Sequence, residues 1–382
     1  MKIAIVAGGC HVFGKEIISL ELGAGLKEAG HEVTFVSSRW WGEGRFPQRL
    51  RELGLPARFM RLGFISATLS WDCIRMTLDQ LIRVPSLWWN YWKFLREERP
   101  EHVIHTNWHH LIMLWPFLNR RRDCYWLHDV VLDKSQYRTL YRALARRMRG
   151  FIPVSEAVKA SLLRIGIPEQ MIRVIHNGIA DPAGRLSGEK SWKGVRVGIV
   201  GQVAPWKGHQ DLLEAFGRVA AAHGDATLHL FGDDSQPFAQ GLKQRAVELG
   251  IAERLVWHGF VSDKARMFGQ MDVCVAPSTV SEALPTVAIE AAFFGVPVIA
   301  SLVGGMPEIV EDGKTGLLFE AGQRDQLAEM LGRLLADANE RREMGAAARE
   351  QALRLFSRSR FVADFEQCLS SQDCFLQAGA CR

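Results

Sequence analysis

Two doubly wound α/β domains in tandem are the architecture this sequence predicts, and three observations predict it. Short apolar segments rich in Ile and Val alternate with helical stretches from the first residues onward, the pattern of buried parallel strands joined by crossover helices. The alternation breaks once, over the Pro-, Gly- and Ser-bearing run DPAGRLSGEKSWK at 181–193, and then begins again. A length of 382 residues gives each half room for its own core.

Taken in order, the first half holds predicted strands KIAIVAG (2–8), EVTFVS (32–37), HVIHT (102–106), CYWLHD (124–129), GFIPVS (150–155) and IRVIHNG (172–178). Helices lie between them, such as 16–29, which Gly30 closes. After the break come VRVGIVG (195–201), ATLHLFGD (226–233), RLVWHG (254–259), VCVAPS (273–278) and PVIAS (297–301), with helices such as 209–222 and 240–249. The expected division is a Rossmann-like domain over 1–180, a linker over 181–193, a second Rossmann-like domain over 194–356, a helix over 357–372 and a tail over 373–382. Strand ends of the two domains are expected to face one another across a cleft, since ligands of open α/β sheets bind outside the carboxyl ends of their strands.

Composition narrows the function classes. Hydrophobic residues at 48% and charged residues at 23% fit a soluble globular chain, and no apolar run, 111–118 included, approaches a membrane span. The opening KIAIVAGG reads as a strand entering a glycine turn rather than as a leader, so a cytoplasmic location is expected. Seven scattered cysteines without C-x-x-C read as reduced thiols. There is no D-x-D, no His pair at ligand spacing beside a carboxylate and no serine elbow, so neither a metal nor another cofactor is expected.

The formal charge of +5 divides unevenly. Residues 1–185 hold 27 Lys and Arg against 17 Asp and Glu, leaving 20 against 25 in the remainder. A basic first half implies an anionic partner, either a membrane surface or a phosphorylated substrate; no nucleic-acid motif accompanies the charge. Nine of the 12 tryptophans also precede residue 186, with Trp88, Trp89 and Trp92 in SLWWNYWKFLREE and Arg120, Arg121 and Arg122 further on. This is either interface chemistry for a membrane or lipid-linked acceptor, or a core helix with a solvated basic face.

The stretch with the most chemical content is SEALPTVAIEAAFFGVPVIAS, 281–301. Leu284 precedes Pro285 and is driven toward extended geometry, while Pro285 is pre-set for the first helical position, so a helix is predicted from Pro285 to Gly295. Its residues are apolar except Glu290, and its first N–H groups, near Thr286, have no side-chain cap from Leu284. Two readings stand at this point. Glu290 is a core carboxylate met by an arginine or a backbone N–H, or Glu282 and Glu290 flank a site where the helix start takes an anion and a carboxylate takes hydroxyls, as a nucleotide diphosphate with its ribose requires. Further candidates are Gly14 in GGCHVFGKE, where a phosphate could approach the backbone, Lys207 in the turn GQVAPWKGH, and His128 and Asp129 at a strand end. Each has an ordinary structural alternative: a solvated lysine, a hydrogen-bonded core histidine.

These pieces together resemble the family 4 glycosyltransferases, retaining enzymes of GT-B fold. The resemblance rests on the E-x7-E stretch Glu282–Glu290 with FFGVPVIAS and GGMPEIVEDGKTGLLF (304–319), and on FGKE…LKEAGHEV (13–33), LHD (127–129), PVSEAV (153–158), HNGI (176–179), Lys207–Gly208 and WHGFV (257–261). It implies transfer of a sugar from a nucleotide-sugar donor to a glycan or lipid-linked acceptor, with retained configuration and no metal, in cell-surface polysaccharide or lipopolysaccharide synthesis. A final helix (360–369) is expected to cross back to the first domain, and the basic, Trp-rich first half to make peripheral contact with the inner face of the cytoplasmic membrane.

Residue by residue, the resemblance implies that Lys207 neutralises the diphosphate, Glu290 binds the ribose hydroxyls and Glu282 contacts the donor sugar. Backbone N–H groups after Glu282 would cradle the phosphates, with Leu284, Pro285 and Thr286 in the donor-binding stretch. His128 would sit at the reacting sugar and Gly14 would leave room for the leaving diphosphate. His105, Asn107 and Asp129 would fall on the acceptor side. Three positions depart from the family pattern: Gln202 replaces a common Arg of the phosphate site, Phe13 replaces a glycine beside Gly14, and Asn107 replaces the second His of H-x-H. A nucleotide-sugar epimerase of similar fold and an inactive nucleotide-sugar-binding subunit are the alternatives, the second carried by Gln202.

Overall fold

The computed structural model describes residues 1–8, 14–38, 44–63, 70–185, 192–371 and 374–375. The chain forms two compact units, Met1–Ile179 with Arg358–Arg382, and Ala180–Ser357.

The first unit is built on strands β1 (Lys2–Val6), β2 (Glu32–Ser38), β3 (Ala57–Met60), β4 (His102–His105), β5 (Asp123–Leu127) and β6 (Gly150–Pro153). Its helices are α1 (Gly14–Glu28), α2 (Arg45–Glu52), α3 (Trp71–Glu98), α4 (Trp108–Met113), α5 (Ser135–Ala145) and α6 (Glu156–Arg164). The second unit has β7 (Arg196–Val200), β8 (Thr227–Phe231), β9 (Leu255–Gly259), β10 (Val273–Ala276), β11 (Val298–Ser301) and β12 (Gly316–Phe319). Around them lie α7 (His209–Val219), α8 (Pro237–Glu248), α9 (Lys264–Phe268), α10 (Thr286–Phe293), α11 (Arg324–Ala336) and α12 (Ala338–Leu355). The chain then gives its last helix, α13 (Arg358–Ser370), to the first unit.

Both sheets are six-stranded and parallel, ordered β3-β2-β1-β4-β5-β6 and β9-β8-β7-β10-β11-β12. In each, the first strand lies between its second and fourth, so the winding reverses beside β1 and beside β7. Loops leave these points in opposite directions and open a crevice at the strand ends, which is where doubly wound sheets bind ligands. Apart from the edge strands β3 and β9, the strands are apolar and buried on both faces because helices cover both: Ile3, Ile5 and Val6 in the first unit, and Val197, Leu228 and Ile299 in the second, are almost inaccessible.

Helix α13 completes the first core. Phe361 and Phe365 lie against Trp126 of β5, ring centroids 5.7 and 5.2 Å away. Its C-terminal carbonyls, Leu369 at 2.9 Å and Ser371 just beyond it at 2.6 Å, accept from the Arg149 guanidinium, a cation at the negative end of the helix dipole.

Several expectations change. The segment 172–178 forms no strand: Ile172 makes a single bridge to Phe151. Arg173 and Ile175 donate to carbonyls of β6, but the carbonyls of His176 and Asn177 are taken by the Arg360 side chain, so the ladder stops. Edge strands β3 and β12 are additional to the expected set; β3 is largely exposed and so shows no apolar run. Helix α10 begins one residue late, with Pro285 as its cap and Gly295 in the left-handed conformation at its end. Among the described residues no helix is long and apolar enough to cross a membrane. Phe13, most of the expected linker and the expected tail apart from Cys374 and Phe375 lie outside the described residues.

Candidate functional site

In the second unit the two loops leaving the switch point are those after β7 and β10, and they carry Lys207 and Glu282. The chain after β7 closes in a single helical turn, Pro205–Lys207, and enters α7 through Gly208. Gly208 has φ 71°, and a Cβ there would collide with the Pro277 carbonyl, so only glycine brings the two loops this close. The Trp206 carbonyl accepts from the Thr279 N–H at 2.8 Å and fixes the contact. Lys207 Nζ then reaches Glu282 Oε2 at 2.6 Å and lies 4.4 Å from the Trp206 ring centroid.

Glu282 is held from three directions. Ser278 Oγ donates to its other carboxylate oxygen. Its backbone carbonyl accepts from Gly305 N–H at 2.9 Å. A Cβ on Gly304 would strike the Glu282 backbone, so the glycine pair lets the loop after β11 brace this one. Ser301, buried at the end of β11, donates to the Ser278 carbonyl at 2.6 Å.

The loop runs on into α10. Leu284 and Pro285 are buried, and Pro285 caps without a side-chain hydrogen bond. Among the described residues nothing accepts from the N–H groups of Thr286 and Val287. Two backbone donors at a helix start, beside a lysine, form a receptor for an anion. One turn on, Glu290 is 5% exposed, and its Oε2 accepts from Lys264 Nζ, the first residue of α9, at 2.8 Å. Burial raises the Glu290 pKa and the Lys264 charge opposes that rise. Glu290 therefore meets a lysine, not the arginine or backbone N–H that the structural reading of the sequence supposed. Gln202 lies exposed in the loop after β7.

In the first unit the corresponding loops follow β1 and β4. Gly14 starts α1 and is exposed, with open space around its Cα. His105 is fully buried in β4, its Nε2 2.7 Å from Asp123 Oδ1. Asp123 also accepts from the Asn119 N–H and from Arg122 Nε, each at 3.0 Å, so His105 belongs to an interior network, its Nδ1 buried and without a partner among the described residues. Asn107 caps α4, its Oδ1 accepting from the His109 N–H at 2.9 Å and lying as close to the His109 ring. Asp129 is exposed.

His128 follows β5, with its ring 4.2 Å from that of Trp126 and its Nε2 buried and unpartnered among the described residues. Burial, and then the charge of Lys15, lowers its pKa to about 3, so it is a neutral imidazole. The same two causes lower His109 to about 4, and they lead in lowering His110 to about 3. Lys15, one residue into α1, thus sits electrostatically among three histidines.

Lys15 and Lys264 were missed from sequence, and one signal marks both. Each is a cation in the first turn of a helix, where the macrodipole disfavours it. Lys207, just ahead of α7, has the same placement. Among the described residues no group of three His, Cys, Asp or Glu side chains is placed to share a metal ion.

Comparison with known proteins follows the two units. A family model described as Glycosyltransferase Family 4 matches residues 14–181, and one described as Glycosyl transferases group 1 matches 188–351. The chain is 32% identical over 157 residues to the N-acetyl-alpha-D-glucosaminyl L-malate synthase of Bacillus anthracis, covering 41% of this chain and 40% of that protein. It is 33% identical over 160 residues to a GDP-mannose-dependent alpha-(1-6)-phosphatidylinositol monomannoside mannosyltransferase of Mycolicibacterium smegmatis, covering 40% and 41%. The matched segment thus spans about two fifths of the length of these curated relatives. The fold is also that of Anabaena HepE, solved in complex with UDP, with TM-score 0.82 at 22% identity over 97% of this chain and all of that one.

Proposed function

The chain belongs to the family 4 glycosyltransferases, and we propose that it moves a sugar from a nucleoside-diphosphate sugar to a glycan or lipid-linked acceptor, retaining the anomeric configuration. The observation that carries this reading is Lys207, held by Glu282 in the loop that leads into α10, together with a helix start whose Thr286 and Val287 N–H groups meet no acceptor among the described residues, at the switch point of the second sheet. Charge develops on the departing diphosphate in such a transfer, and pre-placed donors aimed there lower the barrier. Lys207 turns from Glu282 to the phosphates and frees that carboxylate for the donor sugar, while Glu290 accepts from the ribose hydroxyls.

In the reaction the bond from the anomeric carbon to the phosphate oxygen breaks as the acceptor oxygen bonds to that carbon. The acceptor proton passes to the departing phosphate oxygen. Neither glutamate is a nucleophile. Lys207 and the helix start supply the positive charge, so the reaction is proposed to need no metal and to run unchanged in EDTA. The name of the mannosyltransferase relative supports a nucleotide-sugar donor and a lipid acceptor, in keeping with an acceptor held at a membrane for cell-surface glycan synthesis.

Calorimetric titration of UDP, GDP, ADP and TDP into the wild type identifies the base. Lys207→Ala and Glu290→Ala should then each weaken the best binder at least ten-fold, the loss expected for a charged hydrogen bond of about 1.5–3 kcal/mol. Unchanged affinity in both would sink the assignment. Turnover of donor without acceptor would identify an epimerase instead.

A further inference from the structure

Helix α3 carries an apolar face that nothing among the described residues of its own unit covers. Its other face is anchored: Gln80, Leu87, Tyr91 and Phe94 are buried, and Gln80 donates to the Arg61 carbonyl at 2.9 Å. Trp71, Leu78, Ile82, Trp89 and Trp92 are instead exposed, Trp71 at 87%, Ile82 at 79% and Trp89 at 64%. Their separations of seven, four, seven and three residues place them along one side of a helix with 3.6 residues per turn, directly opposite the buried set. The stripe is about 30 Å long and on the order of 500 Å² in exposed apolar area, toward the upper end of the largest patch a soluble monomer ordinarily shows and of the size that marks an interaction site. Trp88 is not part of it. Its indole N–H donates to the Met113 carbonyl at 2.8 Å and its ring meets Phe117.

We infer that this face of α3 lies in the headgroup layer of an anionic lipid bilayer and docks the protein there. The charge pattern selects this occupant. Arg75, Lys93 and Arg96 border the apolar line, with Arg96 stacked 4.8 Å from the Trp92 ring centroid. Three of the helix acids are held by neighbouring cations: Asp79 by Arg83 at 2.8 Å, Glu98 by Arg58 at 2.8 Å, and Glu97 by Lys93 at 3.6 Å. The whole unit holds 29 Lys and Arg against 19 Asp and Glu, a net +10 that draws it to anionic lipid and repels a second copy of itself. Tryptophan interleaved with arginine is the composition that settles at the level of headgroups, and apolar insertion adds to the electrostatic attraction.

This deepens the membrane-held acceptor of the proposed function, and its test is read apart from nucleotide binding. Full-length protein is floated with vesicles of phosphatidylcholine alone and with phosphatidylglycerol added, beside the triple variant Trp71→Ser, Ile82→Ser, Trp89→Ser and the double variant Arg75→Glu, Arg96→Glu. The wild type is expected to bind the anionic vesicles, less so as salt rises. Each variant should bind at least ten-fold more weakly, with unfolding temperature and nucleotide affinity unchanged because all five side chains are exposed. Equal binding by wild type and triple variant, or none by the wild type, overturns the inference. So does a wild-type dimer in light scattering that the triple variant abolishes, since it assigns the face to a second copy. Loss of nucleotide affinity with vesicle binding intact would instead count against the donor site alone.

Discussion

Glu290 shows how one side chain can be costly to the fold and useful to the site. A carboxyl whose folded pKa is raised binds its proton more tightly in the folded chain, so its contribution to stability is greatest at low pH and falls as pH rises through the folded value. At neutral pH the buried charge is therefore a burden that Lys264 only partly offsets. Glu290→Gln should be as stable as the wild type at pH 8, or up to about 2 kcal/mol more stable, and should lose that advantage as pH falls below the carboxylate range. Thermal unfolding at pH 8 and pH 4 measures this; a variant clearly less stable at pH 8 would mean that the ion pair outweighs the burial. The same change should weaken nucleotide binding, by no more than Glu290→Ala does, because a neutral amide replaces only in part a carboxylate that accepts from two hydroxyls. Glu282 and Glu290 were legible as residues in the sequence. So was Lys207, but Lys264 and the pairing of each glutamate with its lysine, 75 and 26 positions away, were not, because no local pattern reports a contact at that separation.

At the scale of elements, the site depends on how closely backbone segments approach. Gly208 sits where a Cβ would strike the Pro277 carbonyl, at a φ that side chains avoid. Gly208→Ala should destabilise the fold by about 1–3 kcal/mol and weaken nucleoside diphosphate binding, by moving Lys207 away from Glu282. Denaturant unfolding and titration of the same variant check the two effects, and binding unchanged beside a destabilised fold would separate turn from site. The start of α10 was readable because Pro285 and Gly295 punctuate an apolar run. The strand expected at 172–178 was misread because its apolar alternation is that of a strand, while Arg360, from a helix nearly 200 residues on, takes its carbonyls.

For the whole molecule, the last helix decides whether the first unit is complete. Phe365 is fully buried against Trp126, so Phe365→Ala should cost about 3–5 kcal/mol, seen in the unfolding transition of the first unit. A transition shifted by less than 1 kcal/mol would mean that α13 is dispensable to that core. By itself the sequence determined two doubly wound sheets, their helices and the chemistry-bearing turns, because burial on two faces and backbone punctuation are local signals that composition cannot hide. Only the tertiary structure decided which side chains meet. It closed His105 into the interior with Asp123, gave Lys264 to Glu290, and turned the tryptophans of α3 outward. Packing allots each side of a helix or strand to core or solvent, and that allotment depends on elements far away in the chain.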